Sequence, residues 1–489
     1  MEGKAEVLTH LTIVARPKTS CVSKPPRKKQ LLDRPKLKTH VGTVLQGAYS
    51  IPFTSLPPKW KESCWFKSLT VVPQVAPING QKPEPFSVYH ETKQELKIPK
   101  FLGLIWLGPP ETDNRTVGTP VVFTFTGTLS RTKERPQQRA HDDCVTQLAD
   151  TGGALLVLPC GFGKTVVSLA IAATLKKKTL VIVTSVELAH QWRERVQQFL
   201  GCEVGRIQGD NYDTEASVVI AMLQTLLRRQ PDLSSFGTCI VDEAHHVAAR
   251  SFSQVMPLVP CRYILGLSAT PNRKDGMKKL LHWTLGLTAF VAERDDDPAG
   301  KPNVMRCVVT EGKRTVITYK NGEVGRSKMI SLLTMDKSRN EFVVHMLGMV
   351  LNKNGKRKVL MLTDRRDQVS ALQKLIGDRW TCGTILGGMK KEAVEVSKEA
   401  QVLLSTYTYC SEGFDLPRLD TLFLASPRTD IEQSAGRVLR QHPEKQRPLI
   451  LDFVDKFSIF ESQGERRAVY FKKLKCNVQT FEQLNLLKQ

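Results

Sequence analysis

Apolar residues in the middle of this chain fall into short blocks that alternate with segments of helical spacing. Between Gly153 and Thr174, a glycine-rich turn separates an apolar run from an apolar-periodic segment, which predicts a strand, a loop and a helix. Further strands are predicted at Thr179 to Val183, Ser217 to Met222, Cys239 to Val241 and Tyr263 to Leu267, with a helix at Val186 to Leu200. Strands and helices in this order predict a parallel sheet with helices on both faces.

A second series of the same kind follows. Its predicted strands are Val359 to Leu362, Val402 to Ser405, Thr421 to Ala425 and Leu449 to Phe453, with helices at Asp367 to Ile376 and Thr429 to Leu439. Residues 46–120 contain apolar and aromatic segments broken by Pro and Gly, which favours a small accessory domain of mixed or mainly β character. We therefore expect an α/β protein with two tandem parallel-sheet domains behind a small N-terminal domain.

The predicted boundaries follow from these patterns. Residues 1–45 form a basic, partly flexible N-terminus, 46–120 the accessory domain, 121–292 the first α/β domain, 293–470 the second, and 471–489 a tail. The proline-broken basic cluster from Lys24 to Lys29 is typical of a solvated terminus, and a nuclear-import signal or a nucleic-acid arm is an alternative.

The loop after the first predicted strand has the composition of a phosphate-binding loop. Backbone N–H groups of such a loop, together with the start of the following helix, form a concave anion site. Lys164 can reach β- and γ-phosphates, and the Thr165 hydroxyl can ligate Mg²⁺. The predicted ATP-binding residues of the loop are Pro159, Cys160, Gly161, Phe162, Gly163, Lys164 and Thr165.

Two carboxylates follow another predicted strand. Asp242 and Glu243 come directly after the apolar run that ends at Val241, so they lie at the sheet edge that carries the loop. There Asp242 can hold Mg²⁺ and Glu243 can orient or deprotonate the attacking water. Together with the loop they predict a nucleoside triphosphatase.

A glutamine just upstream of the loop is a candidate base contact. Gln138, within Arg135-Pro136-Gln137-Gln138, offers both a donor and an acceptor to an adenine edge. A surface turn is the alternative interpretation.

Composition narrows the class of protein. The chain has 489 residues, 41% of them hydrophobic, which is enough for about three domains. Its net charge of +23 favours a polyanionic partner, and nucleic acid is the leading candidate. The eleven cysteines form no CxxC pair or zinc-type cluster, and no apolar run is long enough to span a membrane. We expect a reducing, cytosolic or nuclear compartment and no membrane partner.

These motifs, with others in fixed order, resemble those of superfamily 2 helicases. The resemblance covers roughly Arg135 to Asp455. Ser268-Ala269-Thr270-Pro271 is similar to the motif that couples hydrolysis to strand movement, and the run from Gln433 to Arg440 is similar to the closing motif QxxGRxxR. The family implies two RecA-like domains with ATP in the cleft between them.

The family also implies roles in the second domain. Arg437 and Arg440 lie three residues apart on a predicted helix and can point together at the γ-phosphate, with Gln433 in the same motif. Asp415, in the motif that links nucleic acid to the cleft, is expected near the ribose or the arginines. The candidate nucleic-acid residues are Gln191, Trp192, Gly209, Gln224, Thr225, Thr363, Arg365 and Thr406. A packed Trp192 and a capping Thr225 are the alternatives.

Within the superfamily, the chain resembles the XPB-like branch, with Lys274 in place of the glutamate of that branch's Arg-Glu-Asp element. It looks closest to the transcript-release-type helicases of large cytoplasmic DNA viruses. This resemblance implies RNA polymerase or transcription factors as partners and, for a viral protein, the host cytoplasm, viral factory or virion as location.

The sequence thus predicts an ATP- and Mg²⁺-dependent DNA helicase or translocase, acting in transcription (elongation or transcript release) or repair. An RNA-stimulated helicase is one alternative, and a scaffold subunit with an idle motor is another.

Overall fold

A computed structural model describes most of the chain. The described residues are 35–73, 84–132, 135–159, 161–244, 249–269, 278–292, 301–310, 314–319, 322, 324–411, 418–429, 431, 434–435 and 446–483.

The N-terminal part is built mainly from short strands. Five of them form one sheet in the order β5-β6-β2-β1-β7, and β3 pairs with β4 separately. The elements are β1 Val44–Leu45, β2 Ala48–Pro52, α1 Cys64–Lys67, β3 Thr70–Val71, β4 Phe86–Ser87, β5 His90–Glu91, β6 Glu95–Pro99, α2 Lys100–Leu107 and β7 Thr112–Asp113.

This small sheet does not stand apart from the first α/β domain. Its apolar residues and those of the following domain form one continuous hydrophobic cluster. At the junction a Cβ on Gly47 would lie 1.8 Å from the Pro257 carbonyl oxygen, so only glycine allows this approach. Lys100 is 2% exposed and donates to the carbonyls of Val259 and Cys261 at 3.0 and 3.2 Å. Burial lowers the pKa of Lys100 to about 8.

The first large sheet has eight strands in the order β11-β10-β12-β9-β13-β14-β8-β15. All its neighbours pair in parallel except β10 and β11. Its elements are α3 Gln137–Thr151, β8 Gly153–Val157, α4 Lys164–Leu175, β9 Thr179–Val183, α5 Val186–Leu200, β10 Val204–Gln208, β11 Asn211–Asp213, β12 Val218–Met222, α6 Leu223–Arg229, β13 Thr238–Val241, α7 Ala249–Val255, β14 Tyr263–Ser268, α8 Lys278–Leu285 and β15 Thr288–Val291.

The predicted strands lie in the middle of this sheet, where helices cover both of its faces. All residues of β8, β9 and β13 are buried, as expected for parallel strands between two helical layers. Helix α5 instead buries one face, through Trp192, Val196 and Leu200.

The second large sheet has seven parallel strands in the order β18-β19-β17-β20-β21-β16-β22. Its elements are β16 Asn303–Val309, α9 Arg326–Thr334, α10 Lys337–Lys353, β17 Val359–Thr363, α11 Arg366–Ile376, β18 Cys382–Ile385, α12 Lys391–Lys398, β19 Val402–Thr406, α13 Tyr407–Ser411, β20 Thr421–Leu424, β21 Leu449–Asp455, α14 Ser458–Lys473 and β22 Asn477–Glu482.

The second sheet changes the predicted C-terminal boundary. The sequence pattern predicts a domain that ends at residue 470, but β22 pairs with β16 along its whole length. The alternating apolar pattern of β22 is weak because it is an exposed edge strand, and this explains why a tail was expected there. Most of the predicted helix at Thr429 to Leu439 lies outside the described residues.

Candidate nucleotide-binding site

Three neighbouring strands of the first large sheet bring the candidate residues to one edge. β14 lies between β13 and β8, so the ends of β8 and β13 are two strands apart. Backbone hydrogen bonds continue beyond the strands, from Leu158 N to Ser268 O at 3.1 Å and from Ala244 N to Leu267 O at 3.0 Å. The phosphate loop after β8 and the carboxylates after β13 therefore have fixed relative positions.

The loop depends on glycine at two positions. Gly161 and Gly163 have φ angles of +86° and +84°, which other residues adopt only with strain. A Cβ on Gly163 would also lie 2.4 Å from Nε2 of Gln137, a side chain packed against the loop. Gly163 precedes α4, whose first two residues are Lys164 and Thr165. The loop thus delivers a lysine and a hydroxyl to the N-terminal end of a helix, where anions bind favourably.

Gln137 holds the loop, and sequence reasoning missed it. Its Nε2 donates to the Phe162 carbonyl at 2.8 Å, and its Oε1 accepts from Ser130 N at 3.0 Å. Arg135 supports the same loop by donating to the Gly161 carbonyl at 3.2 Å. The two adjacent glutamines were the available signal, but the sequence did not indicate which of them faces the loop.

The Gln138 side chain points away from the phosphate loop that Gln137 contacts. Its Nε2 donates to Asp142 Oδ1 at 2.9 Å, and its side chain lines a groove of about 590 Å³ between α3, α4 and the extended segment before α3. The groove is also lined by Phe123, Phe125 and His141. This surface combines aromatic rings with an amide, the two features that suit a flat heterocyclic base.

Asp242 is buried and held by hydrogen bonds. It is 6% exposed, its Oδ2 accepts from Trp192 Nε1 at 2.8 Å, and its Oδ1 accepts from Glu243 N at 2.8 Å. Burial, followed by the adjacent Glu243 carboxylate, raises the pKa of Asp242 to about 6. A buried carboxylate beside a second carboxylate is a favourable place for a divalent cation, because the cation compensates both charges.

Glu243 faces the loop lysine. Its Oε1 lies 3.8 Å from Lys164 Nζ, and the Lys164 ammonium is also 3.4 Å from the Leu158 carbonyl oxygen. Glu243 has a φ angle of +44°, an uncommon conformation for a residue with a side chain, and such strain is typical of functional sites. The structure therefore places Lys164 close to Glu243, which adjoins Asp242, and Thr165 directly follows Lys164 in α4.

The prediction that Trp192 contacts nucleic acid is wrong in this structure. The side chain is 1% exposed and its indole N–H donates to Asp242, so a nucleic-acid strand cannot contact it. The packed alternative is the correct one.

Two further nucleic-acid candidates are also buried. Thr363 is fully buried and its hydroxyl donates to the Arg365 carbonyl at 2.7 Å. Thr225 is 6% exposed, and its hydroxyl accepts a hydrogen bond from Gly209 N at 3.1 Å. Gly209 is itself a nucleic-acid candidate, so Thr225 and Gly209 contact each other. Both threonine side chains therefore have structural roles here.

The remaining candidates stay predictions. Gln224 is exposed and donates to the Thr184 carbonyl, whereas Arg365 is half-buried and donates to Ser327. Gln191 and Thr406 are half-buried. Cys160, Asp415, Gln433, Arg437 and Arg440 lie outside the described residues.

The fold and this site define a two-domain nucleoside triphosphatase with a phosphate loop, and comparison with known proteins identifies its family. Residues 132–273 match the family described as the res subunit of type III restriction enzymes. The chain is 34% identical over 447 residues to the putative ATP-dependent RNA helicase L396 of Acanthamoeba polyphaga mimivirus. The alignment covers 86% of this chain and 83% of that protein. The chain therefore belongs to the superfamily 2 helicases and is related to viral helicases.

Two further similarities are narrower. The DNA 3′-5′ translocase XPB2 of Sulfurisphaera tokodaii is 36% identical over 126 residues, or 26% of this chain and 29% of that protein. The structure of S. cerevisiae Dbp5 bound to RNA and ADP BeF3 aligns with a TM-score of 0.50 and 14% identity, over 70% of this chain and 88% of that one. The second match concerns the fold alone, which is a tandem of RecA-like domains.

Family membership settles the general activity. The protein is a nucleic-acid-dependent, ATP-hydrolysing enzyme with helicase or translocase activity, and its family uses ATP with a divalent metal ion. Among the residues that the structure describes, none belongs to a helix with the length and apolar character of a membrane span.

Proposed function

We propose that this protein is an ATP-dependent DNA helicase or translocase that couples ATP hydrolysis to movement along DNA. The observation that carries the proposal is the meeting of Lys164, Asp242 and Glu243 at one sheet edge, in a chain of net charge +23. The first feature supports hydrolysis, and the second supports a polyanionic track.

The proposed roles follow from the contacts. Lys164 binds the β- and γ-phosphates, and Thr165 and Asp242 hold a divalent cation, for which we propose Mg²⁺. A cation held there would neutralise charge on the phosphates. Glu243 accepts a proton from the attacking water, a role that its position 3.8 Å from Lys164 supports. Gln138 contacts adenine in the groove that it shares with Phe125 and His141.

The second RecA-like domain completes this proposed site. Arg437 and Arg440 stabilise the charge that develops on the γ-phosphate, with Gln433 beside them and Asp415 near the ribose. A guanidinium at such a place contributes about 10³–10⁵ in rate in related phosphoryl-transfer sites. Closure and reopening of the two domains would move a basic surface along the phosphate backbone.

DNA is the proposed track because one relative, XPB2, is named as a DNA translocase. A second candidate is an RNA track, which the name of the mimivirus relative favours. We further propose a role in transcription (elongation or transcript release) or repair, with RNA polymerase or transcription factors as partners. The viral relatives support a location in the host cytoplasm or viral factory, and the nucleus and the virion remain further proposals.

The test is the rate of ATP hydrolysis with duplex DNA, single-stranded DNA and single-stranded RNA of equal length, each at two salt concentrations. We expect DNA to stimulate hydrolysis more than RNA, with half-saturating concentrations that rise steeply with salt because the contacts are to phosphate. Stimulation by RNA alone would replace the proposed DNA track with the RNA track.

A further inference from the structure

One short segment of the second RecA-like domain is held by side chains along its whole length. Residues 425–428 follow β20 and lead toward the motif that begins at Gln433. Each of their four carbonyl groups accepts a hydrogen bond from a side chain on a different element. The bonds are Arg339 Nη1 to Ala425 O at 2.6 Å, Tyr407 Oη to Ser426 O at 2.8 Å, Arg326 Nη2 to Pro427 O at 3.4 Å and Arg467 Nη1 to Arg428 O at 2.7 Å.

Two of these donors are themselves fixed by buried ion pairs. Arg339 is 2% exposed and binds Asp455 through two bonds of 2.8 and 2.9 Å. Arg467 is 1% exposed and binds Asp452 at 2.5 Å. A buried guanidinium that lost its carboxylate would be strongly destabilised, so neither side chain has freedom to move. The carbonyls of Ala425 and Arg428 are therefore attached to rigid points on β21.

The same helix that carries Arg467 holds the chain further along. Ile431 and Ala435 are buried in a hydrophobic cluster that includes Phe471. Arg467 and Phe471 lie four residues apart on α14, so they share one face of that helix. Ala435 is two residues before Arg437 in the sequence. Residues 425–428, Ile431 and Ala435, which precede the first proposed catalytic arginine in the sequence, are thus each held by side chains of the second domain.

We propose that Tyr407, Arg339 and Arg467 are positioning residues for hydrolysis, because they hold residues 425–428, which lead into the motif of Arg437 and Arg440, and thereby set the place from which those arginines reach the nucleotide. This inference rests on the proposed roles of those arginines. It predicts that loosening the segment lowers the rate of the chemical step while leaving nucleotide affinity, which resides mainly in the first domain, nearly unchanged.

Tyr407 gives the cleanest test, because the arginines also stabilise β21. Tyr407→Phe removes only the hydroxyl that donates to Ser426, and the buried ring stays. Its matched control is Tyr89→Phe, between β4 and β5 in the N-terminal part, where the ring packs against Phe66. We expect Tyr407→Phe to lower kcat of nucleic-acid-stimulated hydrolysis about three- to tenfold, the effect of one lost hydrogen bond, with the nucleotide Kd within about twofold.

A double-mutant cycle separates positioning from general support of the fold. In a background with both Arg437→Ala and Arg440→Ala, Tyr407→Phe should cause no further loss of kcat, because both residues that it positions are already absent. Equal losses in both backgrounds, or a kcat for Tyr407→Phe equal to that of Tyr89→Phe, would overturn the inference.

Arg467 provides a second, independent test. Arg467→Lys keeps the charge near Asp452 but loses the donor to Arg428, so kcat should fall while Arg466→Met, on the exposed side of the same helix, keeps the wild-type kcat. Failure of the proposed function would appear earlier and differently. Wild-type protein would then show no stimulated hydrolysis, or Arg437→Ala would leave kcat unchanged.

Discussion

Trp192 is the residue for which the structure and the sequence make opposite predictions, and Trp192→Phe tests them. The sequence pattern suggested a contact with nucleic acid. In the structure the indole N–H instead donates to Asp242 at 2.8 Å, with both side chains buried. Phenylalanine keeps an aromatic ring at this position and removes the donor.

The expected magnitude follows from the kind of bond that is lost. A hydrogen bond to a charged group contributes about 1.5–3 kcal/mol, and loss of a group that orients a metal ligand typically costs about 10- to 100-fold in metal affinity. We therefore expect the Mg²⁺ concentration for half-maximal ATP hydrolysis to rise about 10- to 100-fold, with most of kcat recovered at saturating metal.

The assay is ATP hydrolysis titrated with Mg²⁺ at a fixed, saturating concentration of nucleic acid, followed by the converse titration. Gln197→Ala, at an exposed position of the same helix, is the control and should leave the Mg²⁺ dependence unchanged. An unchanged Mg²⁺ dependence in Trp192→Phe, combined with weaker nucleic-acid binding, would refute the structural argument and restore the prediction made from sequence.

Three further predictions concern other parts of the molecule. Gln138→Ala should reduce discrimination of ATP against GTP, measured as the ratio of their kcat/KM values, whereas Gln137→Ala should slow hydrolysis of both because it frees the Phe162 carbonyl. Gly47→Ala should lower Tm by several degrees, since its Cβ would meet the Pro257 carbonyl. Gly355→Ala is the control and should leave Tm unchanged, because its Cβ would lie 3.7 Å from the nearest atom, the Leu351 carbonyl oxygen. Lys100→Met should change the pH dependence of Tm. The pKa of Lys100 is about 8 in the folded protein against an ordinary 10.5, so the unfolded chain binds more protons between those values. As the pH rises from 8 to 10.5, the free energy of unfolding of the wild type should therefore increase by up to about 3 kcal/mol relative to that of Lys100→Met. Curves of Tm against pH that run parallel for the two proteins would contradict this prediction.

The sequence predicts the two sheets well, because their central strands are buried on both faces and so have continuous apolar runs. Val359–Thr363 and Val402–Thr406 differ from the predicted strands by one residue each. The prediction fails at β22, where an exposed edge strand has no such run. It also could not show that the accessory sheet shares a core with the first RecA-like domain, since that depends on contacts such as Lys100 with Val259.

In the candidate site, too, some residues can be predicted from the sequence and others cannot. Lys164, Asp242 and Glu243 are predictable because a loop and a strand end position them directly. Gln137 and Trp192 are not, because their roles depend on which way a helical side chain points. Adjacent helical residues differ in direction by about 100°, so the choice between Gln137 and Gln138 required the three-dimensional structure.

The central claim is that ATP hydrolysis occurs at the edge where Lys164 and Glu243 meet, and Glu243→Gln tests it most directly. The amide keeps the size of the side chain but cannot accept the proton of the attacking water. With saturating nucleic acid, this variant should bind ATP as wild type does and hydrolyse it at least about 100-fold more slowly. Wild-type turnover in Glu243→Gln would contradict the claim.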